Sequence, residues 1–484
     1  MSEELLYVNG INGASGTYEL PPLTPAELTE AAIRESQTPS AHVKELDHKW
    51  QSDQPSFQVI DDLDPLDLAE VGWGVIFTHN ADPKIKQALA PLLQHRRAMA
   101  TTGKSHYYEF EGVKGFRPGD SYLDFLIRQN AGPGPADPER VPYYLLIVGD
   151  PETIPYEFQY GLDVQYAVGR LWFEDPKGQP DLGAFTRYAQ GVVKAETTAA
   201  PAPRRAVFFG VKNPDDPATT QSADLLVGPL AQRLRSAMPA WDVRTLLEAG
   251  ATKSALNGLF RGGERPALLF TASHGMVFPL GDQLQLRHQG AILCQDWPGP
   301  EAWGRKPVPE SYYFSADDLD GSAQVEGLIA FQFACYGAGT PMLDDYPHPR
   351  LRARPTIAPR SFLARLPQRL LTHENGPALA VVGHVERAWP SSFAWKQAGP
   401  QLQAFQSMLK RLFKGIPIGH ALDYFNVRYA ELTSLLNMEL QDIKYGKRPD
   451  DLAIAGLWTA NNDARGYIIL GDPAVRLRTA EVNA

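Results

Sequence analysis

The sequence predicts an α/β protein built on a mostly parallel sheet flanked by helices. Short apolar runs of strand length alternate with longer helical stretches along most of the chain, the order typical of β-α-β units. The chain has 484 residues, of which 43% are hydrophobic and 21% charged, as in an ordinary globular protein. This length is enough for a substantial core and for two or three structural units.

The first part of the chain divides into an extension and one α/β subdomain. Residues 1–65 are punctuated by proline and serine and hold one helical stretch, residues 24–36. That helix has Thr24 as its N-cap and Glu27 three residues later, which predicts a capping box. A first α/β subdomain over residues 66–198 is predicted from strands at 72–78 and 143–148 and from helices at 83–97 and 182–195.

A Thr-, Ala- and Pro-rich linker near residue 200 leads into a second and larger α/β subdomain, residues 199–480. The same alternation of strands and helices continues in it. Strands are predicted at 206–211, 243–246, 268–272, 328–334 and 378–382, and helices at 222–237, 253–261, 359–372 and within 401–445.

Composition and charge exclude several classes of function. A net charge of −10 argues against binding to nucleic acid, which relies on clustered Lys and Arg. No apolar run approaches the roughly 20 residues of a membrane span, and the N-terminus has no secretory signal. The two cysteines, Cys294 and Cys335, form no disulfide framework. We therefore expect a cytoplasmic protein that binds neither nucleic acid nor membrane. No nucleotide-binding motif follows a strand, and we predict no cofactor. Calcium dependence stays open, but the spacing of the carboxylates matches no defined calcium loop, so we predict no metal site.

Two of the predicted strands end in residues that can carry chemistry. The first is followed by Ser273-His274-Gly275 and the second by Cys335-Tyr336-Gly337. Because ligands and chemistry collect beyond the carboxyl ends of parallel strands, we expect His274 and Cys335 to lie together. A histidine beside a thiol can act as its base and supply the reactive thiolate. Either residue alone is more often structural, but the two in this order favour a nucleophile and its base.

The resemblance to a known family extends well outside this pair. It covers about residues 140–478, and its motifs keep their order along the chain. They are Gly149-Asp150, Ile154-Pro155, Asp163-x-x-Tyr166, Val168-Gly169-Arg170 and Gly471-Asp472-Pro473, around the His-Gly and Cys-Tyr-Gly segments. The chain thereby resembles the caspase-like cysteine peptidases, and is most similar to the gingipains among them.

The resemblance implies a caspase-like fold and a cysteine endopeptidase with a Cys-His dyad. Cys335 would be the nucleophile and His274 the group that moves the proton. The backbone N–H groups of Gly275 and of Cys335 itself would bind the oxyanion. The sequence identifies no third residue that orients His274.

Residue preference before the cut is less sharply indicated. Asp163 matches the acidic pocket residue of arginine-specific gingipains. This match implies a preference for substrates with a basic side chain before the cut. The pocket wall implied at residues 382–389 offers both Glu386 and Arg387, of opposite charge. Phe333 stands two residues before Cys335, where metacaspases have aspartate and caspases glutamine, so neither of those rules applies.

An irregular insertion over about residues 277–322 precedes the strand that leads to Cys335. A second loop, residues 337–359 with two aspartates and three arginines, follows the predicted nucleophile. We expect it to be either a surface connection or a lid that controls access to Cys335. An intracellular peptidase would cut one or a few partner proteins under control, and a regulatory protein partner fits that expectation. Two alternatives stay open: a catalytically silent binding scaffold, and a Cys-His acyltransferase or amidase acting on a small molecule.

Overall fold

The computed structural model describes residues 5–37, 59–60, 62–175, 177–197, 200–262, 265–344, 354–395 and 399–480. Its strands form one central sheet, one small sheet and three two-stranded ribbons. The strands of the two larger sheets are β1 Gly10–Asn12, β2 Trp73–Ile76, β3 Tyr107–Phe110, β4 Tyr144–Val148, β5 Ala167–Leu171, β6 Arg205–Gly210, β7 Asp242–Leu247, β8 Leu268–Ala272, β9 Gly275–Val277, β10 Ile292–Leu293, β11 Tyr313–Phe314, β12 Ile329–Phe333, β13 Ala380–His384 and β14 Tyr467–Gly471.

Helices lie on the central sheet and connect its strands. The helices of the described residues are α1 Pro25–Gln37, α2 Leu68–Val71, α3 Pro83–Ala88, α4 Ala90–Met99, α5 Tyr122–Arg128, α6 Tyr156–Asp163, α7 Leu182–Thr197, α8 Pro217–Gln221, α9 Gly228–Ala237, α10 Lys253–Arg261, α11 Gln285–His288, α12 Pro300–Trp303, α13 Arg365–Leu371, α14 Gln403–Phe413, α15 Ile418–Lys444 and α16 Asp451–Gly466. None of these helices combines the length and the apolar character that crossing a membrane requires.

The central sheet has ten strands in the order β3-β2-β4-β5-β14-β13-β12-β8-β6-β7. Eight of the nine neighbouring pairs are parallel, and only β13 and β14 run antiparallel. This confirms the predicted mostly parallel α/β architecture. The C-terminal strand β14 lies between β5 and β13, so the sheet is continuous across the two predicted subdomains.

Stacked aromatic rings hold together the neighbouring strands β12, β8 and β6. The predicted dyad residues follow β12 and β8, and β6 is the next strand in the sheet. Phe208 of β6, Phe270 of β8 and Phe331 of β12 share one register. Their ring centroids lie 5.5 and 5.0 Å apart, and the Phe405 ring of α14 meets Phe270 and Phe331 edge-on. Such aromatic pairs contribute about 0.5–1.5 kcal/mol beyond their buried area. The strand ends beyond these rings are therefore fixed relative to one another.

Several predicted elements differ from the structure at proline or cap positions. The predicted helix at 83–97 is two helices, α3 and α4, because Pro91 lacks the N–H needed to continue the first. The predicted helix at 222–237 begins with a π-helical stretch, Ser222–Val227, before Pro229 in α9. The capping box at the start of α1 is confirmed, with Thr24 N–H donating to Glu27 Oε2 at 2.9 Å.

The small sheet has the order β1-β9-β10-β11 and joins the N-terminal segment to the insertion after β8. β1 runs parallel to β9, with Gly10 opposite Gly275. The N-terminal residues are therefore part of the same body as the predicted dyad, where β9 begins directly after His274.

Candidate active site

Three strand ends of the central sheet meet at the predicted site. Cys335 follows β12 by two residues, and His274 follows β8 by two. Asp216 follows the next strand, β6, and caps the N-terminus of α8. The order β12-β8-β6 is the spatial order of the sheet, so parallel topology collects a thiol, an imidazole and a carboxylate at one edge.

Asp216 holds the imidazole of His274. The Nε2 atom of His274 lies 2.6 Å from Oδ2 of Asp216, and both side chains are fully buried. Asp216 also accepts hydrogen bonds from the hydroxyls of Thr219 and Tyr18. Burial raises the pKa of the Asp216 carboxyl, but the His274 charge and these hydrogen bonds hold that pKa below its usual value. The ionised carboxylate fixes the histidine ring with Nε2–H donating, and Nδ1 has no hydrogen-bond partner among the described residues.

The thiol of Cys335 is buried in this structure. Its Sγ accepts a hydrogen bond from the Ala388 N–H at 3.2 Å. Burial raises the pKa of the Cys335 thiol well above its usual value, and the charge of Glu19 raises it further. In this arrangement the sulfur is held as a neutral thiol.

The two backbone donors expected from the sequence converge on one acceptor. The N–H of Gly275 donates to the carbonyl oxygen of Asn9 at 3.0 Å, and the N–H of Cys335 donates to the same oxygen at 3.2 Å. The two donors lie close because the His-Gly turn and the Cys turn are in contact: a β-carbon built on Gly275 would lie 1.8 Å from the Cys335 carbonyl oxygen. Glycine is therefore required at position 275.

The turns after β12 and β13 are tight and interlocked. Tyr336 has φ of 59° and Glu386 has φ of 68°, a left-handed conformation that is costly for residues other than glycine. The N–H of Tyr336 donates to the carbonyl oxygen of Glu386. Such strained positions persist only where the surrounding structure holds them. Here the two interlocked turns fix the backbone next to Cys335.

Glu386 and Arg387, two of the three predicted substrate-binding residues, form a buried ionic cluster beside the site. Arg387 pairs with Asp344 at 2.7 Å, with Glu19 at 2.7 Å and with Glu386 at 3.0 Å. All three partners are carboxylates from different parts of the chain. The positive charge of Arg387 is thus matched by acidic groups within the protein.

Asp163, the third of these residues, lies at the end of α6 beside the beginning of β5, which is three strands from β12. Its described neighbours are the N–H of Val168 and the side chains of Arg170 and Asp423. Burial raises the pKa of the Asp163 carboxyl well above its usual value. The structure brings Cys335, Gly275, Glu386 and Arg387 together, and it places Asp163 apart from them.

Nine of the 23 residues of the loop after Cys335, residues 345–353, lie outside the described residues. Of its described part, Asp344 belongs to the Arg387 cluster.

Two site residues were missed by sequence reasoning. Asp216 carried a usable signal, since an Asp-Pro pair after a strand is an N-cap signature, and β6 neighbours β8. Asn9 carried none, because only the fold brings the N-terminal segment to the strand ends.

Comparison with solved structures finds the expected likeness at the level of the fold. A structure described as "Structure of Protease" is 11% identical, covers 84% of this chain and 78% of its own, and has a TM-score of 0.45. The Arg-specific cysteine proteinase gingipain R is 12% identical, with 84% and 78% coverage and a TM-score of 0.44. The complex of the pro- and mature domains of RgpB from Porphyromonas gingivalis is 13% identical, with 84% and 80% coverage and a TM-score of 0.44.

No protein-family model matches the chain, and no curated protein matches it. The predicted mostly parallel α/β architecture is confirmed by the sheet itself, and the chemistry has to be argued from the site.

Proposed function

We propose that this chain is a cysteine endopeptidase that uses Cys335, His274 and Asp216. The observation that carries the proposal is the pair of N–H groups, from Gly275 and Cys335, directed at one carbonyl oxygen next to a thiol. Acyl transfer needs such fixed donors, because the oxygen becomes negatively charged in the transition state. Removing one donor costs about 2.7–4 kcal/mol in measured cases.

The proposed reaction begins with attack of the Cys335 sulfur on the carbonyl carbon of a peptide bond. His274 accepts the thiol proton at Nδ1, the nitrogen that Asp216 leaves unbonded, and donates it to the leaving amine. Water, activated in turn by His274, then hydrolyses the thioester. Asp216 keeps the ring oriented and stabilises its protonated form, which is a positioning role.

A protein is the substrate that we propose, and the cytoplasm is the compartment, as expected from the sequence. We assign Glu386 and Arg387 no part in selecting the charge of the substrate side chain, because each belongs to the buried ionic cluster. The basic preference implied through Asp163 is not part of the proposal, because Asp163 lies beside β5, three strands from β12, and it is tested below.

Wild-type protein, Cys335→Ala and Cys294→Ala form the test, incubated with a peptide library and read by mass spectrometry. Cys294 is the matched control, because it is equally buried and lies outside the three strand ends. We expect cleavage by wild type and Cys294→Ala and none by Cys335→Ala. Turnover of small amides but not of peptides would instead support the amidase alternative.

The buried thiol is the observation that favours a silent scaffold. A thiol-directed probe decides between the two functions under conditions in which Cys335 becomes accessible. Labelling of Cys335 without turnover of any peptide would support the scaffold and overturn the peptidase.

A further inference from the structure

Residues 6–23 form a hairpin that lies across the site. Leu6 bridges Leu23 and Ile11 bridges Tyr18, both antiparallel. The turn of the hairpin is closed by the N–H of Gly16 donating to the carbonyl oxygen of Asn12 at 2.7 Å. We call this element, residues 6–23, the N-terminal hairpin.

The first strand of the N-terminal hairpin is bound through its backbone on both sides of one peptide bond. Before that bond, the N–H of Asn9 donates to the carbonyl oxygen of Ala388 at 3.1 Å. After it, Gly10 begins β1 and pairs in parallel with Gly275. The carbonyl oxygen of Asn9 itself accepts from Gly275 and Cys335. Backbone hydrogen bonds on both sides of one peptide bond, with two N–H groups on its carbonyl oxygen, are the contacts that a bound substrate would make around the bond to be cut.

The residue after that bond has almost no space. A β-carbon built on Gly10 would lie 3.2 Å from Sγ of Cys335 and 3.2 Å from Oε2 of Glu19. Both distances are tighter than ordinary van der Waals contact. The sulfur is thus close to the chain at Gly10, and any side chain there would have to displace it.

The residue before the bond is enclosed. Asn9 is fully buried, and both polar atoms of its side chain lack hydrogen-bond partners among the described residues. An unpaired buried amide destabilises the folded state by about 1–3 kcal/mol, so the stability of the fold does not explain an asparagine at this position. Upstream, the chain passes a largely apolar cavity of about 480 Å³ lined by Tyr7, Trp389 and Trp395.

We propose that the active site cuts extended peptides between asparagine and glycine, and that the Asn9–Gly10 bond of this chain is its first substrate. The N-terminal hairpin therefore covers the thiol until that bond is cut or the hairpin leaves. This inference rests on the proposed function and adds the substrate class to it.

The chemistry needs only water as co-reactant. The Cys335 sulfur bonds to the carbonyl carbon of Asn9, and the bond from that carbon to the Gly10 nitrogen breaks. The thiol proton leaves through His274 to the new amine of Gly10. Hydrolysis of the thioester then gives the carboxylate of Asn9 and regenerates the thiol.

The same hairpin contains an internal control. Asn12–Gly13 is a second Asn-Gly bond, three residues further on, but the Asn12 carbonyl oxygen accepts from Gly16 and not from the site. Sequence preference alone would cut both bonds. Placement at the dyad predicts a cut at Asn9–Gly10 only.

The test follows purified full-length protein over time by intact mass and N-terminal sequencing. We expect a product that starts at Gly10 from wild type, an uncut Asn12–Gly13 bond, and no product from Cys335→Ala or His274→Ala. The same cut in Cys335→Ala would show spontaneous chemistry at an Asn-Gly bond and would overturn the proposal.

A second arm displaces the N-terminal hairpin without touching the site. Gly13→Val should push it outward, because a β-carbon there would lie 2.4 Å from the Phe278 ring, and Gly132→Val is the matched control with no atom within 4 Å. Peptides copying residues 5–14, with Asn or Arg at the ninth position, are offered to both variants. We expect the Asn peptide to be cut by Gly13→Val at least tenfold faster than the Arg peptide.

The two failures are distinguishable. If Gly13→Val cuts the Arg peptide as fast as the Asn peptide, or wild type keeps its first nine residues, the inference is overturned and the peptidase stands. If neither variant cuts any peptide and Cys335 never reacts with a thiol-directed probe, the proposed function falls too.

Discussion

His274 and Asp216 lie 58 positions apart in the chain and are joined by a 2.6 Å contact between Nε2 and Oδ2 in a fully buried site. Each residue follows its own strand of the central sheet, and the two strands, β8 and β6, are neighbours. The contact adds a carboxylate to the proposed Cys-His pair, with Cys335 at the next strand end.

Asp216→Asn tests this contact. An amide nitrogen in place of Oδ2 cannot accept from Nε2–H, so the ring loses its orientation and the stabilisation of its charged form. We expect kcat to fall on the order of 10²-fold or more, with little change in KM. Kinetics on a peptide cut by wild type measure both constants.

Asp215→Asn is the control, since Asp215 adjoins Asp216 and its left-handed backbone, with φ of 54°, suits asparagine as well. Equal losses in both variants would mean that the segment is damaged and that the contact itself is not catalytic.

The sequence predicted those parts of the fold that repeat a local pattern. Strands such as β8 and β12 are mostly apolar runs, because parallel strands are buried on both faces, and each is followed two positions later by its candidate residue. The pairing of β13 with β14 could not be read in this way. These strands are far apart in the chain, and antiparallel contact between two otherwise parallel halves has no local signature.

The same limit applies to the site. His274 and Cys335 could be proposed from the sequence because each follows a recognisable strand. Asn9 and the Arg387 cluster could not, since they depend on contacts between segments hundreds of residues apart, such as Arg387 with Glu19. Long-range pairing of this kind is a property of the folded topology and not of any window of sequence.

Gly275→Ala tests the contact between the two turns. The added methyl group would lie 1.8 Å from the Cys335 carbonyl oxygen, so the turns must separate and the two N–H donors can no longer share one oxygen. We expect loss of peptidase activity and a lower melting temperature. Gly258→Ala, in α10 with open space around it, should keep full activity and gain slightly in stability. Full activity in Gly275→Ala would exclude its N–H as an oxyanion donor.

Glu196→Gln tests the anchoring of the C-terminal Gly-Asp-Pro motif. Arg96 is fully buried between Glu196 and Asp472, at 2.6 Å from each. Burial raises the pKa of Glu196, but the charge of Arg96 and the hydrogen bonds from His95 and Arg96 lower it to about 2. Because the pKa is lowered on folding, the ionised carboxylate stabilises the fold above the unfolded value of about 4.3.

That contribution disappears as the pH falls from about 4.3 through about 2, and at pH 7 it is about 3 kcal/mol at most. Denaturant unfolding at several pH values should show Glu196→Gln less stable than wild type at pH 7, with the difference shrinking in acid. A constant difference across this range would mean that the loss is one of packing and not of charge.

Asp163→Asn tests the basic preference that the sequence implied. Burial raises the pKa of Asp163 well above its usual value, which weakens its negative charge, and asparagine has nearly the same shape. We therefore expect the ratio of turnover on Arg and Asn peptides to change by no more than about twofold. This is well below the factor of about ten that one pKa unit of interaction energy represents. A selective loss on the Arg peptide would restore Asp163 as the pocket residue.

Tyr18→Phe tests how the N-terminal hairpin is held over the thiol. The Tyr18 hydroxyl donates to Oδ1 of Asp216 at 2.6 Å, which ties the hairpin to the carboxylate that holds His274. Hydrogen bonds to charged groups contribute about 1.5–3 kcal/mol, and each 1.4 kcal/mol is a factor of about ten. Without the hydroxyl, the hairpin should leave the site more often. We expect a thiol-directed reagent to label Cys335 roughly ten to a hundred times faster, with the labelled cysteine identified by peptide mapping.

Tyr7→Phe is the matched control, because the Tyr7 ring lies 5.5 Å from the Tyr18 ring in the same hairpin and Tyr7 makes no contact with Asp216 among the described hydrogen bonds. It should leave the labelling rate unchanged. Faster labelling in both variants would point to general loosening of the hairpin. An unchanged rate in Tyr18→Phe would mean that access to Cys335 is limited by something other than this hydrogen bond, since a hairpin held at Asp216 must open more easily once that contact is gone.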